Sequence, residues 1–221
     1  MSSWKSGIAG ATLAMAVVAG AAAPSAAATT ICFGGDLGPS TCPTSGEQKI
    51  FLQAGTGTTG LGDVGSQGGL PTTQFDSTST LDFANGFATI KPDTGKSFGD
   101  LKFTIPGHTF TDLLFDAQMF NNHGVDLNFT INAYDGASLL GSVTYTAADG
   151  LKHDADQSFV VLALGGPMTE IDLLSTSGFK ELKHFEVSGI PELSTWAMMG
   201  LGFAALGFVG FHSRKRSVSI A

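Results

Sequence analysis

The sequence predicts an all-β body, an antiparallel β-sandwich of jelly-roll type, set between an N-terminal signal helix and a C-terminal transmembrane helix. Three observations predict it. Apolar and polar residues alternate with a period of two through the middle of the chain, as in Val125 to Tyr134. Turn residues recur at close spacing, and no long amphipathic pattern interrupts them. Two uncharged apolar stretches lie at the ends. The chain divides accordingly into 1–28, 29–190 and 191–221. The middle part, about 160 residues, is long enough for one domain with its own core.

The N-terminal element reads as a secretory signal. Lys5 gives a positive start, and Gly7 to Ala23 is apolar. Ala26 and Ala28 then make a small-x-small site, which predicts cleavage before Thr29. An uncleaved anchor is the competing reading, and Pro24 and the small residues argue against it. Next come the two cysteines, Cys32 and Cys42. In an oxidising compartment this pair reads as a disulfide. A metal pair would lack a nearby histidine to complete its ligands.

In the body, the alternation puts Val125, Leu127, Phe129, Ile131 and Ala133 on one side of a strand. Asp126, Asn128, Thr130, Asn132 and Tyr134 fall on the other, and Asp135-Gly136 signals a turn. Gly141, Val143 and Tyr145 continue the pattern, and Leu101, Phe103 and Ile105 form a strand stopped by Pro106-Gly107. Further strands are expected at Gln48 to Ala54, Phe87 to Ile90, Thr109 to Phe115, Ser158 to Leu164, Glu170 to Leu174 and His184 to Ser188. The Gly- and Thr-rich stretch Gly55 to Thr80 is expected to be a surface loop or edge region.

The C-terminal element begins after Gly189-Ile190. Trp196 to Phe211 is an uncharged run of 16 residues. Tryptophan at one edge and Arg214, Lys215 and Arg216 beyond the other suit the two membrane interfaces. The basic cluster marks the cytoplasmic side, leaving the body outside. A buried core helix is the alternative, but a segment apolar on every face needs a partner on every face.

Pro191-Glu192-Leu193-Ser194-Thr195-Trp196, the apolar run and Arg214-Lys215-Arg216 together resemble a PEP-CTERM sorting tail. Leu193 stands where that family has its second proline. The resemblance covers about thirty residues and implies handling by exosortase, a membrane transpeptidase-like enzyme. It also implies association with exopolysaccharide at the envelope, either membrane-anchored or released after tail cleavage. The same tail is also labelled as a C-terminal domain of ice-binding proteins.

Charge limits the partners. From Thr29 to Ile190 there are seven lysines, no arginine and 18 acidic residues, a balance of −11. Such a body repels phosphate backbones, so nucleic acid is not an expected partner. Gly55-Thr56-Gly57-Thr58-Thr59-Gly60 matches the dinucleotide pattern, but Leu61-Gly62-Asp63-Val64-Gly65 does not start the required helix. His153, Asp154 and Asp156 are the candidate calcium ligands, weighed against plain solvated acids. No other cofactor is expected. His108, His123 and His184 have no zinc spacing. No Gly-x-Ser-x-Gly elbow is present, and 18 acids make coincidental carboxylate pairs inevitable. Asn128-Phe129-Thr130 matches a glycosylation sequon but sits within the clearest strand. The body has no tryptophan, and its many phenylalanines read as core. The expected function is therefore a non-catalytic, exported, membrane-anchored envelope protein associated with exopolysaccharide. A carbohydrate- or calcium-binding lectin-like module and a polysaccharide-acting enzyme are the alternatives.

Overall fold

The computed structural model describes residues 29–38, 42–44 and 46–190, with Met199 and Phe203 beyond them. Residues 1–28, with Ala26 and Ala28, lie outside the described residues, as do Pro191 to Trp196 and Arg214 to Arg216. Met199 and Phe203 are helical and exposed. Among the described residues no helix is long and apolar enough to cross a membrane.

The body is all-β. Its strands are β1 (Thr30–Gly35), β2 (Gln48–Leu52), β3 (Gly55–Val64), β4 (Thr72–Ala84), β5 (Gly86–Phe87) and β6 (Thr89–Pro92). They continue with β7 (Phe98–Thr104), β8 (Asp112–Met119), β9 (Asn128–Asp135), β10 (Ser138–Thr146), β11 (Asp156–Leu164) and β12 (Glu170–Ser188). A single 3₁₀ turn, Ala147–Asp149, is the one interruption of another kind within them. All pairings between these strands are antiparallel and join them in one sheet.

Two long strands let this sheet fold onto itself. The first part of β12, Glu170 to Leu174, pairs with β7 and β9. Its later part, to Ser188, pairs with β8 and, at points, with β6 and β2. Gly178, at φ +88°, lies between the two parts, and an added Cβ there would come within 2.7 Å of Ser97. β4 divides in the same way, pairing with β7 through Gln74 to Asp76 and with β6 through Leu81 to Ala84. Side chains from strands that are not hydrogen-bonded to each other then meet face to face. Phe129 of β9 lies 4.8 Å from Phe159 of β11, and Phe75 of β4 lies 5.0 Å from Phe185 of β12 (ring centroids). The arrangement is consistent with a β-sandwich.

The core is phenylalanine-rich. Ten of the chain's 17 phenylalanines are among its largest fully buried side chains. Each such burial contributes roughly 1.5–3 kcal/mol. Gly136, at φ +56°, makes the turn from β9 into β10, where Asp135 pairs with Ser138. Pro106-Gly107 turns the chain after β7, with the His108 amide donating to the Ile105 carbonyl at 2.9 Å.

The structure corrects several expectations. Gly55 to Thr80 is not a surface loop, because it supplies all of β3 and most of β4. The glycines there fit close packing. A Cβ on Gly60 would lie 2.3 Å from the Phe83 ring, and one on Gly62 would lie 2.7 Å from Ile50 and Thr73. The pattern Gly55 to Gly60 is therefore strand rather than loop. β1 is an additional strand, and the expected pieces at Glu170 to Leu174 and His184 to Ser188 are one strand. The strand expected from Thr109 starts at Asp112 and runs to Met119. Val125, 36% exposed, precedes the strand that begins at Asn128.

Candidate functional site

Alternation along β9 sends Phe129, Ile131 and Ala133 into the core and leaves Asn128, Thr130, Asn132 and Tyr134 partly exposed outside. The same alternation holds in β7, in the first part of β12 and in the first part of β4. Register then aligns the outward residues. Ser142, Asn132, Asp172, Lys102, Asp76 and Thr59 stand in one row across β10, β9, β12, β7, β4 and β3. Six strands at about 4.8 Å spacing make a polar row roughly 24 Å long. Tyr134, Glu170, Thr104, Gln74 and Leu61 form a second row beside it. Thr144, Thr130, Leu174 and Asp100 form a third on the other side.

Most of these groups hold one another in place. Ser142 Oγ donates to Asn132 Oδ1 at 2.6 Å, and the hydroxyls of Thr130 and Thr144 are 2.8 Å apart. Asp76 accepts from Thr59 Oγ1 and Gln74 Nε2, both at 2.7 Å. Asp100 accepts from the Thr78 amide at 2.8 Å. Lys102 Nζ lies 2.9 Å from Glu170 Oε1.

Asp172 differs from the rest, because its Oδ1 is buried and has no hydrogen-bond partner. Burial pushes its carboxyl above the usual carboxylate range. Glu170 and Asp100 add to the rise and Lys102 opposes it. The hydrogen bond to Glu170 raises Lys102 in turn, against its own desolvation. Three carboxylates, Glu170, Asp172 and Asp76, thus act on one ammonium group, and the face carries excess negative charge. Chemically it offers hydroxyl, amide and carboxylate oxygens, with few apolar groups, to a ligand laid across the strands.

The predicted site residues fall elsewhere. Cys32 and Cys42 form the expected disulfide, which settles the choice against a metal pair. Thr29 opens the described body beside Gly166. The calcium candidates are separately engaged. His153 Nδ1 lies 3.0 Å from the Phe120 carbonyl oxygen. Asp154 pairs with Lys180 at 2.9 Å, and Asp156 pairs with Lys183 at 2.8 Å. Among the described residues no group of three or more His, Cys, Asp or Glu is placed to hold a metal ion.

Sequence reasoning missed a second grouping on the opposite outward face. Asp116 accepts from Ser158 Oγ at 2.6 Å and lies 2.7 Å from His184 Nδ1. His184, at φ +56°, stacks on Phe87 with ring centroids 4.9 Å apart. Aspartate stands between serine and histidine here, so the histidine does not contact the hydroxyl as a nucleophilic triad requires. A signal was available, because the buried Leu182 and Phe185 are three residues apart. That spacing breaks a period of two and marks the register shift between Lys183 and Glu186.

Comparison of the chain with protein-family models, curated proteins and solved structures returns no match.

Proposed function

We propose that this chain is an exported, non-catalytic envelope protein, held at the membrane by its 196–211 segment. Its body, read as a jelly-roll-like sandwich, presents the six-strand polar row to exopolysaccharide. The observation that carries this reading is the row itself, Ser142-Asn132-Asp172-Lys102-Asp76-Thr59. A polysaccharide is an extended chain of hydroxyl groups, and a linear array of donors and acceptors can engage several sugars in succession. The negative balance of the face favours neutral or amine-bearing glycans over acidic ones. The disulfide supports an extracytoplasmic destination, where such bonds persist. The signal-like start and sorting-like end support the same route.

Two measurements test the proposal. The first is intact mass and fractionation of the full chain in a bacterium that exports it. A membrane-bound species starting at Thr29 and retaining Arg214 to Arg216 is expected. A species cut near Pro191 to Ser194 would mean that exosortase-type processing accepts Leu193. A full-length cytoplasmic protein would refute export. The second is co-sedimentation with insoluble neutral and amine-bearing polysaccharides. Binding should fall at least tenfold in a variant combining Asn132→Ala and Asp172→Ala, and equal binding by both proteins would sink the assignment of this face. Release of reducing ends by the wild type would favour an enzyme, with Asp172 and Glu170 the carboxylates to test first.

A further inference from the structure

The outward side of β8 carries Asp112, Leu114, Asp116 and Gln118, alternating with the core residues Leu113, Phe115, Ala117 and Met119. Asp112 should therefore face solvent, yet it is 2% exposed. Its row explains how it is enclosed. Cys32 pairs with Leu162, Leu162 with Asp112, and Asp112 with Ser188. On the far side of β12, Lys49 stands opposite Glu186 and Gln48 opposite Val187. Continuing that register by one residue brings Glu47 beside Ser188.

Two oxygens here lack any donor. The Ser188 hydroxyl donates to Asp112 Oδ2 and lies 3.5 Å from Thr111 Oγ1. Asp112 Oδ1 is buried without a partner, and so is Glu47 Oε1. An ionised Asp112 would bear the desolvation of its orphaned oxygen as well as repulsion from the neighbouring carboxylate. Cationic relief is remote. Lys49 lies one row away, beside Glu186, with its ammonium 4.7 Å over the Phe87 ring. Leu162 and Cys32 bring no charge from β11 and β1. A proton on Asp112 Oδ1 would give both oxygens a partner, with Glu47 Oε1 accepting it.

We propose that Asp112 keeps its proton in the folded chain and donates it from Oδ1 to Glu47, tying β8, β12 and the entry of β2 together where the chain leaves the body. The direction of the Asp112 shift agrees. Burial raises its carboxyl above the usual range and Glu47 raises it further, against the Ser188 hydrogen bonds. A raised acid binds its proton more tightly in the folded state. The stability it contributes is full in acid, below the unfolded carboxyl pKa, and is lost as pH rises through the folded value. The tie is a proton-dependent fastening close in sequence to the end of the described body.

The test is a urea titration of the full chain in detergent across pH, for the wild type, Asp112→Asn and Glu47→Gln. The wild-type midpoint should fall as pH rises above the ordinary carboxylate range. Asp112→Asn keeps an N–H donor for Glu47 and cannot titrate, so its profile should lack that fall. Glu47→Gln removes the repelling charge and should shift the fall to lower pH. A carboxylic-acid C=O infrared band above the ordinary carboxylate range, lost in Asp112→Asn, is the direct signature. Identical pH profiles for wild type and Asp112→Asn, or no such band, would overturn the proposal. So would a calcium-dependent rise in the wild-type midpoint at neutral pH that chelator and Asp112→Asn both abolish, because the pair would then hold a cation.

Discussion

The two outward faces of the body treat buried charge in opposite ways. On the face formed by β10, β9, early β12, β7, β4 and β3, carboxylates stand in open rows and Lys102 lies among them. On the face formed by β1, β11, β8 and late β12, Asp112 is closed off and its charged neighbour is another acid, Glu47. Solvent reaches the first arrangement, whereas Asp112 in the second is almost wholly enclosed. An open row with unspent hydrogen-bonding capacity suits a ligand. A closed pair with unspent capacity suits a proton.

Between the faces lies the aromatic core, and the largest expected effect comes from separating them there. Phe129 touches Phe115, Phe159, Phe179 and Tyr145, with centroids 4.8 to 6.3 Å away. Phe129→Ala should cost about 3–5 kcal/mol, read from urea unfolding, and both faces should be lost in one transition. Two separate transitions would show that the halves fold independently. Next in size is removal of the disulfide. Replacing Cys32 and Cys42 by serine should cost about 2–4 kcal/mol. The loss should fall on the closed face, raising hydrogen exchange in β1 and β11 more than in β9 and β10. Smaller again is Gly60→Ala, which drives a methyl into the Phe83 ring. About 1–3 kcal/mol of destabilisation is expected on the open-face side. No loss would mean that the ring has room to move.

The open face was more legible than the closed one, for physical reasons. β9 announces itself because one side is buried and the other wet, so a period of two is written into Asn128 to Tyr134. The polar residues of the row were visible as strand residues. Their alignment was not, because register depends on partners far away in the chain. β3 and β4 were hidden by composition. Glycine usually signals a turn, yet Gly60 and Gly62 are where side chains of other strands fill the space. Asp112 was least legible of all. Alternation assigns it to solvent, and its enclosure depends on neighbours that register brings to it from distant parts of the chain. The disulfide could be read because two cysteines close together in sequence, with no histidine near them, leave few alternatives.

The finest contrast is between Asp172 and Asp112, both raised by burial but set on opposite faces. Asp172 is only partly covered and has Lys102 nearby to offset the acids around it. Asp172→Asn should leave stability unchanged in acid, where the carboxyl is already neutral. As pH rises through the folded value the variant should become slightly more stable than the wild type, because it avoids a desolvated charge. The acids and lysine around Asp172 act partly through solvent, so added salt should shrink this gain. The corresponding gain for Asp112→Asn arises in an enclosed pair and should persist in salt. Urea midpoints of the two variants across pH, at low and at molar salt, measure both. Equal salt sensitivity would mean that the two carboxyls share one environment and that the division into an open and a closed face is wrong.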